Sequence, residues 1–351
     1  MVQAVIITDT HLFEKHTRAD SLISCNYEDV YNVCSQAIQL AKENNLKEVF
    51  HAGDFFDSRK HQSQSLLQMA ENIFQLFEDN QITLYIINGN HDSTDYESSY
   101  SFLSPYKHHP FIKLIPVSHF IDLETTRIHL LSFFDNDRYI KELEEVKTKL
   151  SDKLKNVLIT HIGIHGALRN NGEKEQSSIT FEMFKEFDKV LIGHYHNLSS
   201  HINGKVVYIG ASLQHNFGED NNKGVTLLTD RLKLNKVQAS FKEYKNFEVD
   251  VASLTKEDIQ DLISIKDETH SKVILTGDPN LIKAFDKKVL LEAGIKVDVR
   301  AEVIAVQQVT QEVEAHTNDS ILDSFKTFCQ EHNYPVEEGE EFLKPIIERN
   351  V

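Results

Sequence analysis

The sequence predicts a layered α/β protein. Three observations lead there: short unbroken apolar runs, helical patterns between them, and turns rich in acids and histidines directly after most of the runs. Short continuous apolar segments suit strands buried on both faces. Their brevity and their polar or glycine stops favour strands over pieces of buried helix. Strands alternating with helices imply helices layered on sheets.

Ala4-Val5-Ile6-Ile7 is the first run, and Asp9-Thr10-His11 follows it. A helix is expected over 28–42, with Val30, Val33, Ala37, Ile38 and Ala41 at helical spacing. Glu48-Val49-Phe50 leads to Gly53-Asp54-Phe55-Phe56-Asp57, and a second helix is expected over 65–77. Leu84-Tyr85-Ile86-Ile87 leads to Gly89-Asn90-His91-Asp92, and a third helix over 138–150. Val157-Leu158-Ile159 precedes Thr160-His161, and Val190-Leu191-Ile192 precedes Gly193-His194-Tyr195-His196. Residues 225–237 alternate as a closing β-hairpin, after which the chain leaves this unit near Tyr244.

From 247 to 306 the pattern is strand, helix, strand, helix, strand, with strands near 249–251, 272–276 and 296–301. Pro279 suits the start of a helix over 280–291, and Gly294 its end. After a polar stretch at 307–317, two short amphipathic helices follow. The first is capped by Asp319 or Ser320 and carries Ile321, Leu322, Phe325 and Phe328; Pro335 breaks it. The second carries Phe342, Leu343, Ile346 and Ile347. Such a pair buries too little to stand alone, so it must pack on the body or on a partner.

In open α/β sheets, ligands gather beyond the carboxyl ends of the strands, where these motifs fall. Imidazole and carboxylate suit manganese, iron or zinc better than calcium. Two such ions about 4 Å apart can clamp a phosphate and activate a water. That arrangement needs one shared carboxylate. Asp54 is the candidate, because Gly53 lets the backbone turn tightly before it. On an extended segment His194 and His196 would point the same way, so each could serve either ion. Asp9-Thr10-His11 alone is a weak signal; the whole set, in order and after strands, points to a two-metal phosphoesterase.

These residues resemble the calcineurin-like metallophosphoesterases, and within them the SbcD branch, the nuclease subunit of a double-strand-break repair complex. The resemblance covers the whole chain, more strongly to about Asp230. It implies a β-sandwich core flanked by helices over 1–244, a small α/β capping domain over 245–306, and a C-terminal helical pair over 317–351. By that resemblance Asp9, His11, Asp54 and His196 hold one divalent ion, and Asp54, Asn90, His161 and His194 the other, most often manganese. His91 contacts the scissile phosphate and assists the leaving oxygen, Asp92 orients His91, and Asp57 lies behind the ligands or near substrate. The implied activity is DNA exonuclease and endonuclease cleavage by a metal-activated water. The implied partners are DNA, an SbcC-type ATPase bound through the C-terminal helices, and a second copy of the chain. The dimer face would include Leu66, Leu67, Met69, Ile73, Tyr100, Phe102 and Leu103. Residues 206–213 resemble the strand and Gly-Ser-Pro turn of the branch, but this chain has Gly210-Ala211-Ser212, and 214–219 matches loosely.

A phosphomonoesterase or protein phosphatase of the same superfamily is the rival reading. Many such phosphatases place Arg directly after the second-motif Asp; here Ser58 stands there, and the third-motif acid is Asp92 rather than Glu. A non-catalytic scaffold is the other rival, disfavoured by the complete ligand set. His51 and His165 are read as supporting or structural histidines, His215 as a candidate lining residue, and His108 and His109 as surface loop. Arg59, Lys60 and His61 are candidates for a DNA backbone or a solvated helix entrance. Asn170, Asn171 and Gly172 read as a loop rather than a site.

The formal net charge of -17 is unusual for a DNA enzyme, since nonspecific DNA affinity comes largely from Lys and Arg. The acid is uneven: 312–351 holds ten acidic against three basic residues. Weak DNA binding by the chain alone is therefore expected, with a partner supplying grip. Cys25, Cys34 and Cys329 show no zinc spacing and fit a reducing compartment. No apolar run approaches membrane-spanning length, and no signal peptide is read at the start. A cytoplasmic or nucleoid-associated protein, not secreted and not in the membrane, is expected.

Overall fold

A computed structural model describes residues 1–16, 23–97, 100–265, 268–301 and 326. Met1–Arg300 is one compact unit, separate from Ala301–Val351. The helical pair expected over 317–351, and the end of the capping segment at 302–306, lie outside the described residues, apart from Lys326.

The chain opens with β1 (Val2–Ile7), the short hairpin β2 (Glu14–His16) and β3 (Ile23–Cys25), then α1 (Tyr27–Glu43), β4 (Glu48–His51) and α2 (Gln64–Asp79). Next come β5 (Thr83–Ile87), β6 (Ile112–Ile115), β7 (Ser118–Asp122), β8 (Thr126–Leu131) and α3 (Asn136–Lys147). β9 (Lys155–Thr160), β10 (Lys189–Ile192), β11 (Ser199–His201), β12 (Val206–Tyr208), β13 (Val225–Thr229) and β14 (Leu234–Val237) complete the main body. A smaller part holds β15 (Glu243–Asp250), α4 (Lys256–Ser264), β16 (Thr269–Gly277), α5 (Pro279–Ala284), α6 (Lys288–Glu292) and β17 (Lys296–Ala301).

Two six-stranded sheets form a sandwich. One has the order β14-β13-β1-β4-β5-β6 and the other β11-β12-β10-β9-β8-β7. β1, β4, β5 and β6 run parallel, as do β8, β9, β10 and β12. The two-residue period of the strands splits the apolar residues between layers. Ala4, Ile6, Phe50 and Ile87 of the first sheet share a core with Ile128, Val157, Ile159 and Leu191 of the second. Val5, Ile7, Val49 and Leu84 face the other way, onto α1 and α2. Leu131, Leu158, Val190 and Tyr208 turn outward from the second sheet, onto Tyr139, Leu143 and Val146 of α3. The fold is therefore helix, sheet, sheet, helix: the alternation of the sequence implied helices layered on sheets, and the family resemblance implied the sandwich core.

Local chemistry fixes the helix starts. Ser63 accepts from the Leu66 amide at 3.1 Å to cap α2, and Asp135 accepts from Asp137 and Arg138 to cap α3. The helix expected over 280–291 is instead two pieces. Phe285 is extended (φ -69°, ψ 128°), and its ring packs on the small core of Leu262, Val273, Leu275, Leu290 and Ile295. Asp286 then caps the next turn by accepting from the Lys288 amide. In the smaller part β15 starts earlier than expected and pairs in parallel with β16 along its whole length.

Of the expected dimer face, Leu66, Ile73 and Leu103 are buried in the core, while Tyr100 is exposed. No helix among the described residues is long and apolar enough to cross a membrane.

Candidate metal centre

The turns after β1, β4, β5, β9 and β10 meet at one edge of the sandwich, because the parallel strands of each sheet end on the same side. Backbone bonds lace them together: the Asp9 amide donates to the Gly53 carbonyl at 3.0 Å, and the Gly193 amide to the Thr160 carbonyl at 3.0 Å. The packing leaves no room for side chains at the glycines. A Cβ on Gly89 would lie 2.1 Å from Asp54 Oδ1, and one on Gly193 would lie 2.4 Å from Thr8 Oγ1.

Backbone strain gathers here too. Asp9 (φ 49°), His11 (42°), Asp54 (56°) and His194 (85°) all occupy the left-handed region. Non-glycine residues hold such conformations at a cost, and typically where function needs them.

The expected ligands converge in two overlapping groups. Asp9, His11 and Asp54 place one ligand atom each within 4.8 Å of one another, and so do Asp54, His161 and His194. Asp54 belongs to both: its Oδ2 lies 3.6 Å from His11 Nε2 and 3.2 Å from His161 Nε2. Asn90 Oδ1 sits 3.1 Å from His161 Nε2 and 2.8 Å from His194 Nδ1. His161 Nδ1 donates to the Ala52 carbonyl at 2.9 Å, which leaves Nε2 facing the cluster. The Asp9 carboxylate accepts from Thr8 Oγ1 and from the His194 amide.

The tandem histidines do not lie on an extended segment. The positive φ of His194 turns the chain, so His194 joins Asp54 and His161, while His196 joins His11 and His215. His196 Nδ1 meets Glu219 Oε1 at 2.7 Å. His215 Nε2 donates to the Asp9 carbonyl at 2.7 Å.

His91 stands at the mouth of the cluster, its ring 4.7 Å from that of His11. Its Nδ1 donates to the Asp57 carbonyl at 2.5 Å, and its Nε2 accepts from the Arg59 guanidinium at 2.9 Å. Asp92 does not touch the ring. Its buried carboxylate accepts from the Phe56 and Gly89 amides, at 3.0 and 2.8 Å, and so ties the second motif to the third. The Asp57 carboxylate points at His11 Nδ1, 3.7 Å away.

Burial and mutual charge set the titration of the cluster. Burial works against the charge of Asp54, yet the imidazoles around it, His161 foremost, hold its pKa well below the usual range. Burial also opposes a proton on His161, but Asp54 prevails and raises its pKa to about 9. His194 is pushed down to about 3 by burial and by the charge of His161. Burial, then the Asp54 charge, lifts Asp92 to about 7 against the pull of its two amides.

A cleft of about 600 Å³ opens over these groups, lined among others by His11, Asp54, Asn90, His91, His194 and His196. Its rim adds residues that the sequence did not single out. Arg169 grips Glu175 through two bonds of 2.8 Å, and Glu175 accepts from Tyr195 at 2.6 Å. Asn170, expected to be plain loop, accepts from the His196 amide at 2.8 Å and lines the cleft with Asn171. His51 is buried behind the second motif on Thr10, and His165 is exposed outside the cleft. A second cavity of about 680 Å³, between β15 and α4, has no histidine in its lining.

Residues 3–198 match the calcineurin-like phosphoesterase family model. The chain belongs to this family. It is 24% identical over 215 residues to SbcD, the D component of the SbcCD nuclease of Staphylococcus saprophyticus, covering 55% of this chain and 57% of that protein. It is 28% identical over 192 residues to exonuclease subunit 1 of Enterobacteria phage T4, covering 53% of each. The chain thus spans about half the length of the curated relatives it matches. A solved dimetal phosphatase from Danio rerio superposes with a TM-score of 0.45 at 9% identity, over 65% of this chain and 92% of that one.

Phosphoesterases of this family use divalent metal ions, and the residues present fit them. Both ring nitrogens of His11 are buried without a hydrogen-bond partner, which in a protein interior calls for an explanation. Buried Asp9 and Asp54 face imidazole nitrogens and pair with no Lys or Arg among the described residues. Oxygen and imidazole donors in this mixture suit manganese, iron or zinc.

Proposed function

We propose that this phosphoesterase is a metal-dependent DNA nuclease that hydrolyses phosphodiester bonds during DNA end processing and recombination. The observation that carries the reading is the overlap of the two ligand groups on Asp54, with His91 beside them at the mouth of the same cleft. Ser58 in place of the phosphatase arginine, and the nuclease names of two matched relatives, favour a diester over a monoester.

In this reading Asp9, His11, Asp54 and His196 hold one ion, and Asp54, Asn90, His161 and His194 the other, with manganese as the working metal. Bound there, two ions neutralise phosphate charge and make water nucleophilic at neutral pH. The chain's own groups do the rest. Asp54 spans both positions. The Asp57 carbonyl fixes the His91 ring through Nδ1, so Nε2 is the atom that would face the leaving oxygen. It gives a proton or hydrogen bond there once it carries a proton and the Arg59 guanidinium has moved from it to the phosphate. Arg59 supplies positive charge at that wall; its guanidinium bonds to His91 and Tyr96 and meets no carboxylate among the described residues.

Residues 245–306 then serve as a cap beside the site, and 317–351 as the segment that binds an SbcC-type ATPase. Homodimerisation and a cytoplasmic or nucleoid location belong to the same proposal. With a net charge of -17, the isolated chain binds DNA weakly and depends on the ATPase partner for grip.

The test is cleavage of end-labelled linear duplex DNA by the purified chain with manganese, beside His91→Ala and a p-nitrophenyl phosphate control. The expected result is nucleotide release that falls roughly 10²–10⁴-fold in the variant while its metal content stays unchanged. Monoester hydrolysis without DNA cleavage, with the ATPase present as well, would move the assignment to a phosphatase.

A further inference from the structure

The loop between β12 and β13 carries a buried pair that the motifs do not account for. Glu219 and Lys223 lie 3.3 Å apart, with side chains 3% and 0% exposed. Buried ion pairs are poor stabilisers, because desolvating both charges cancels most of their attraction. Both members of this pair end on one residue. Glu219 Oε1 meets the His196 ring at Nδ1, 2.7 Å away, and Lys223 Nζ donates to the His196 carbonyl at 2.5 Å.

We propose that Glu219 is a positioning residue of the metal centre, which fixes the His196 ring so that Nε2 is presented as a ligand. This rests on the reading of His196 as a ligand given above. A carboxylate on the far nitrogen of a coordinating histidine sets its tautomer and orientation and strengthens it as a donor. The remaining contacts of Glu219 hold the carboxylate still. Oε1 also accepts from Asn216 Nδ2 at 2.8 Å, and Oε2 from the His215 amide at 3.2 Å. The loop is pinned at its other side: Gln214 Oε1 accepts from the Tyr244 amide at 2.9 Å, and the Phe217 ring packs on Tyr244. His161 needs no such partner, since the Ala52 carbonyl already fixes its ring. Glu219 thus replaces, on the loop side of the centre, the backbone support that the strands give on the other.

The experiment is calorimetric titration of the metal-free full chain with Mn²⁺, for wild type, Glu219→Ala, Glu219→Asp, Glu219→Gln and His196→Ala, with thermal melts alongside. Glu219→Ala is expected to keep one site and weaken the other by roughly 10–100-fold. Glu219→Asp keeps the charge for Lys223 but falls short of Nδ1, and should lose affinity at the same site. Glu219→Gln still offers an oxygen to Nδ1–H and should recover most of it. Both sites staying within about twofold of wild type in Glu219→Ala and Glu219→Asp, while His196→Ala loses one, overturns the positioning role alone. Both sites surviving in His196→Ala overturns the ligand reading and the proposal with it. If Glu219→Ala does not fold, the Asp and Gln variants decide: loss in the first with recovery in the second supports the role, and no loss in the first refutes it.

Discussion

Around His161 the candidate ligands hang from the ends of buried strands, whereas on the other side Asp9 and His11 do so too but His196 depends on loops. His161, Asp54 and Asn90 follow β9, β4 and β5 closely and are all but inaccessible. Main-chain groups hold them: the Ala52 carbonyl on His161, and the His91 amide on Asp54 Oδ1 at 2.7 Å. His196 takes most of its support from side chains, with Glu219 on its ring, Asn170 on its amide, and Lys223 beside the Ala211 amide on its carbonyl. The sandwich alone therefore organises the deep half of the centre in advance. In the outer half Asp9 and His11 are likewise held at the end of β1. It is the His196 position that is only as well ordered as the 214–220 and 163–177 loops, so substitutions in those loops should weaken that half selectively.

Asp54 is shared by both halves, so its removal should have the largest effect. Asp54→Ala is expected to cost more than about 10³-fold in turnover on any phosphoester substrate. A variant within tenfold of wild type would break the view of Asp54 as the common member. Gly89→Ala strikes the centre from the deep side, through the shared Asp54. Its Cβ would meet the Asp54 amide nitrogen at 2.2 Å, and overpacking of a fixed backbone costs about 1–3 kcal/mol. Urea denaturation of the metal-free chain measures this, and an unchanged midpoint would show that the strand ends yield more easily than their packing implies.

The smallest expected effect lies on the outer rim. The Arg169 guanidinium holds the Glu175 carboxylate at about 2, below its ordinary 4.5. A depressed folded pKa means the stabilisation is complete above about pH 4.5 and is lost as pH falls toward 2. The gap in denaturation midpoint between wild type and Glu175→Gln should be flat above that range, should close below it, and should correspond to less than about 1 kcal/mol, because the pair is partly solvated. A gap that persists undiminished near pH 2 would contradict this.

The deep half was legible in the sequence because each candidate ligand follows a short apolar run, and strand order then brings the turns together. The strand before His194 and His196 was legible in the same way, but the path of the pair was not. Their alternation suggested an extended segment, but His194 takes a positive φ that no residue pattern announces. Glu219 and Glu175 were missed because each lies in a polar loop with nothing local to mark it; their meaning comes from contacts 23 and 20 residues away along the chain. Asp92 lies beside the candidate ligands, yet its partners are backbone amides of the second and third motifs, which side-chain reasoning does not reach. The helix break at Phe285 had no glycine or proline to signal it, and the small core that captures the ring decided it.

The most direct measurement is metal content after equilibrium dialysis of the metal-free chain against manganese, read by elemental analysis for wild type and Asp54→Ala. Two overlapping ligand groups joined by Asp54 should retain two equivalents per wild-type chain and none in the variant at the same free manganese. One equivalent or fewer in wild type, or two retained without Asp54, would contradict a shared two-ion centre.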